Sequence, residues 1–193
     1  MGKKNIRCST PEESSHEIAL VSADSFIELA FIFINKIPED PKEGAQYAMD
    51  NTGRMIASLT NITLGIELML KALLLVHGKP ADHTHKLATL FDALPENLNT
   101  AITQHYISDS NEKSNSVALL HANSTLKESK KPRKKKLFTI DEVLKRNDEM
   151  FVESRYAFSS VIKNGEIDYN YSALLAIARA TKSVCPAIVL SGA

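Results

Sequence analysis

The strongest constraint on this chain is the thirteen-residue run LGIELMLKALLLV at 64–76, apolar on nearly every helical face except at Glu67 and Lys71. A helix that is apolar all round has no face to give to solvent and has to be surrounded by protein. The run therefore predicts the central helix of an all-α antiparallel bundle, extending from about residue 44 to about residue 77. The following HGKP should close it, with Gly78 as a left-handed cap and Pro80 barring continuation. Glu67 precedes Lys71 by four residues, the favourable order for an ion pair along a helix. In apolar surroundings such a pair serves to join helices through charge-assisted hydrogen bonds more than to add net stability.

The rest of the chain supplies neighbours for this helix. Residues 19–37 carry Phe26, Ala30, Phe33 and Ile37 at helical spacing, with Pro38 and Pro41 ending the segment. THKLATLFDAL at 84–94 predicts a short helix with Thr84 as N-cap and Leu87, Leu90, Phe91 and Leu94 as its stripe. Pro95 opens a further helix to about Tyr106. Thr139 caps a helix whose periodicity runs through Ile140, Leu144, Phe151, Ser154 and Phe158. YNYSALLAIARATKSV forms the last helix, with Pro186 as its stop. No alternation of apolar and polar residues predicts a sheet, and VALLHA reads as one helical turn.

With 193 residues and 44% apolar content, the chain suits one domain with a sizeable core. The expected division is a flexible segment over 1–18, a helical domain over 19–186 and a tail over 187–193. Within the domain, residues 108–136 form an insertion or loop. Cys8 and Cys185 lack paired-ligand spacing and read as free thiols in a reducing compartment. MGKKNIRCSTPEESSHE has no apolar signal core, so the expected location is cytoplasmic. The apolar run at 62–76 reads as a buried core helix, too short to span a membrane.

Three segments in order, NITLGIELMLKALLLVHG, HTHKLATLFDALP and FVESRYAFS, together resemble the HEPN superfamily of helical domains from prokaryotic nucleotide-related, toxin and defence systems. The matching positions are Glu67, Lys71 and Ala72; His85, Lys86 and Leu87; and Arg155 with Tyr156. The resemblance spans most of residues 44–180 and implies a HEPN-like bundle in which Glu67, Lys71, His85, Arg155 and Tyr156 make a structural or functional polar cluster. It also implies a homodimer; the apolar run at 66–76 is expected to serve both the internal core and a partner surface, with burial inside the monomer as the alternative.

Ribonucleases of that superfamily carry an arginine followed four to six residues later by a histidine, and this sequence departs from them. Neither Arg54, Arg146, Arg155 nor Arg179 has a histidine at that distance. Histidine supplies the near-neutral proton transfer of RNA cleavage and arginine the phosphate stabilisation. The expectation is therefore a non-catalytic binding or regulatory protein of prokaryotic stress or defence, without cofactor. The alternatives are a ribonuclease with an unconventional Arg155 constellation and a structural homomeric protein.

His77, His83 and His85 lack the paired ligands that fix a zinc geometry, and no metal is expected. Glycines are scattered, with no phosphate-cradling loop. Charge is balanced over the chain, at 23 basic and 23 acidic side chains, but residues 127–136 hold seven basic against one acidic. Lys130, Lys131, Arg133, Lys134, Lys135 and Lys136 are the candidates for contact with RNA or another anionic macromolecule. A solvated insertion explains the same strip, and a membrane surface or acidic protein partner is a further alternative. It lacks interleaved aromatics, so base-specific reading is not implied.

Overall fold

The structure is a computed structural model, which describes residues 11–36, 45–81, 83–112, 118–121, 138–148, 166–169 and 171–185. Among these are six helices: α1 (Pro11–Ile34), α2 (Ala45–Val76), α3 (Leu87–Asp92), α4 (Glu96–Glu112), α5 (Ile140–Arg146) and α6 (Tyr171–Val184). Two four-residue strands, β1 (Ala118–His121) and β2 (Glu166–Tyr169), complete them.

Helix α2 is the axis of the bundle. Leu59, Ile62, Ile66, Met69, Leu70, Leu73 and Leu74 are each at most 1% exposed, packed with residues of α1, α3 and α6. Full burial of each such side chain stabilises the fold by roughly 1.5–3 kcal/mol relative to exposure. Length alone does not keep this helix out of a bilayer, contrary to the sequence-based expectation, because Gly53–Val76 is long and apolar enough to span one. Of its most apolar eighteen-residue window, 61% is buried within the protein. Residues 66–76 are thereby mostly buried inside the chain, as the internal-core side of the expectation has it, with Leu75 and Val76 exposed.

The end of α2 follows its sequence signals. Gly78 has φ of 65°, Lys79 N–H donates to Leu74 O at 2.9 Å and Gly78 N–H to Leu75 O at 3.0 Å. This is the crossed pair of bonds of a Schellman cap, which satisfies carbonyls left open at the helix end.

Helix α1 begins at Pro11, well before residue 19, because proline at the first helical position lacks only an N–H that would be unpaired anyway. Its buried face also differs from the expected Phe26–Ala30–Phe33–Ile37 stripe. Leu20, Ala23 and Ala30 are buried and Ile27 and Ile34 pack on the core, while Phe26 and Phe33 are half-buried. Gly65 explains the rotation. A Cβ there would lie 2.7 Å from Ile27 Cγ1 and 3.1 Å from Ala23 O, so the backbones of the antiparallel α1 and α2 approach too closely for phenylalanine between them.

Other boundaries depart from expectation for local reasons. Helix α4 continues to Glu112 rather than ending at Tyr106, taking in the first residues expected to loop out. Residues 118–121 are a strand, not a helical turn, in antiparallel register with β2 from Ala118 opposite Tyr169 to His121 opposite Glu166. The fold is thus an all-α bundle carrying one short β-ribbon. Strand pairing between distant segments leaves little trace in a run of only four residues. Helix α5 has the Thr139–Glu142 capping box but ends at Arg146, with Asn147 donating its side-chain amide to Val143 O at 2.7 Å. Its expected continuation to Ile162, through Phe151, Ser154 and Phe158, lies outside the described residues.

Candidate functional site

Glu67 is the centre of the site. It points from the buried side of α2 with its side chain only 4% exposed, and an isolated carboxylate at such depth is costly unless compensated. Lys71, one turn later, places Nζ 2.8 Å from Glu67 Oε1. His85, just before α3, places Nδ1 3.0 Å from the same oxygen. A carboxylate only accepts, so His85 donates through Nδ1–H. The i,i+4 pair is set by helix geometry alone, whereas the histidine arrives from a separate segment eighteen residues on. The cluster therefore fastens the α2–α3 connection onto α2.

That connection is held at several further points. Thr84 was expected to cap α3, but its Oγ1 accepts Lys86 N–H at 3.1 Å, and Lys86 at the N-cap position makes no side-chain cap. The cap comes from Asp148, sixty residues later, whose Oδ1 accepts Ala88 N–H at 2.7 Å. At the other end of α3, Lys79 Nζ donates to Ala93 O at 2.6 Å. A six-residue helix is too short to persist in isolation, and here both ends are satisfied by groups outside it.

The described arginines serve the framework. Arg54 Nη1 donates to Lys36 O at 2.8 Å, closing the C-terminal end of α1. Arg146 lies 4.5 Å from the ring centre of Phe138 in a cation–π contact. Arg179 joins α6 to α4 through Asp109, with Nε 2.8 Å from Oδ2 and Nη2 on the same oxygen. Buried hydroxyls tie three helices at another level. Ser58 donates to Ala30 O at 2.8 Å, which spends its only proton, so the Tyr171 phenol supplies the hydrogen of their 3.2 Å contact. Burial raises the Tyr171 pKa above the ordinary 10.

Arg155 and Tyr156 lie outside the described residues, as do Lys130, Lys131, Arg133, Lys134, Lys135 and Lys136. Cys8 is likewise outside them, and Cys185 is a free thiol. His77 and His83 are exposed, and among the described residues no three His, Cys, Asp or Glu side chains converge as metal ligands. Sequence reasoning missed Asp148, Ser58, Tyr171 and Asp109, for which linear spacing carries no signal because each partner is on a distant segment.

In comparisons with known proteins, no family model, curated protein or solved structure matches this chain.

Proposed function

We propose that this chain is a non-catalytic HEPN-like binding or regulatory protein of prokaryotic stress or defence, working in the cytoplasm on RNA or another anionic macromolecule, or on a protein partner. The observation that carries the reading is the engagement of Glu67. Its buried carboxylate is compensated by Lys71 and His85 within the chain, so polar residues at matching positions hold helices together. The sequence beside it lacks an arginine with a histidine four to six residues later, which removes the paired phosphate-stabilising and proton-transferring groups of RNA cleavage. The basic side chains Lys130, Lys131, Arg133, Lys134, Lys135 and Lys136 are the proposed contact for the anionic ligand, a charge-driven contact that weakens as salt rises.

The test is incubation of the purified full-length protein with structured and single-stranded RNA, followed for both retention and cleavage. The expected outcome is salt-sensitive retention without cleavage, and loss of retention when those six residues are replaced by Gln. Cleavage that disappears in Arg155→Ala would replace this reading with a ribonuclease of unconventional constellation. Absence of retention for RNA, DNA and anionic vesicles alike would sink the anionic-ligand role.

A further inference from the structure

We draw no further inference here: the strongest candidate, the exposed apolar stripe of Ile18, Val21, Leu29 and Ile32 on the outer face of α1, carries nothing because nothing in the structure shows what covers it.

Discussion

Glu67 Oε1 and His85 Nδ1 lie 3.0 Å apart across a turn that separates them by eighteen residues, and Lys71 Nζ lies 2.8 Å from the same oxygen. One oxygen thus receives a donor fixed by helix geometry and a donor delivered by tertiary structure. Glu67→Ala should destabilise the fold by about 3 kcal/mol, because it leaves Lys71 without its partner in a mostly buried position. His85→Ala should cost less, about 1 kcal/mol, because half of that side chain reaches solvent. Urea unfolding of Glu67→Ala, Lys71→Ala and the double variant Glu67→Ala/Lys71→Ala completes a double-mutant cycle. Strictly additive losses would show that the two charges do not depend on each other.

Gly65 should resist substitution even though alanine is the better helix former. A Cβ meets Ile27 Cγ1 at 2.7 Å and the Ala23 carbonyl at 3.1 Å, and backbone cannot step aside as a flexible side chain can. Gly65→Ala gains about 1 kcal/mol in helix propensity, against about 1–3 kcal/mol for overpacking. The expected net is a modest loss for alanine and a larger one for Gly65→Val. Adding Ile27→Ala to Gly65→Ala should recover part of it, because the nearest obstructing atom is gone. A valine variant that melts with the wild type would refute the close approach of α1 and α2.

Asp148 caps α3 from a distance, so Asp148→Ala should cost about 1 kcal/mol, the usual loss for an N-cap. Asp148→Asn keeps an acceptor and should cost less. Hydrogen exchange at Ala88, whose N–H donates to Asp148 Oδ1, reports on this bond directly. Unchanged protection of that amide in Asp148→Ala would exclude the cap.

Cys185 should be a sluggish nucleophile. Burial and the Asp24 carboxylate push its thiol up to about 11, against a smaller opposite pull from Lys182, and the protonated Sγ donates to Thr181 O at 3.3 Å. Because the folded pKa lies above the unfolded 9.0, the associated stability is fully present below about pH 9 and is lost as pH rises through about 11. In a Cys8→Ser background, alkylation by iodoacetamide at pH 8 should be slower than for an unstructured cysteine peptide. Cys185→Ser should flatten the alkaline loss of stability. Alkylation at the peptide's rate would contradict the environment described for the thiol.

Features complete within about one helical turn were legible in the sequence. The apolar run announced α2 as the axis, the four-residue spacing announced Glu67–Lys71, Gly78 announced its cap, and Thr139 announced the cap of α5, which Glu142 completes as a box. Each rests on periodicity or on bonds between neighbours, which chain geometry imposes wherever the segment sits.

Tertiary structure decided the rest. Thr84 lost the capping of α3 to Asp148 because only the packed chain brings that carboxylate to Ala88 N–H. The α1 stripe turned from phenylalanines to alanines because the absence of a side chain at Gly65 matters only once another helix lies against it. Residues 118–121 paired as a strand because their partner, 166–169, stands far along the chain. His85 reached Glu67 for the same reason: a buried carboxylate takes whichever donor the fold delivers, and delivery across eighteen residues is a property of packing, not of spacing.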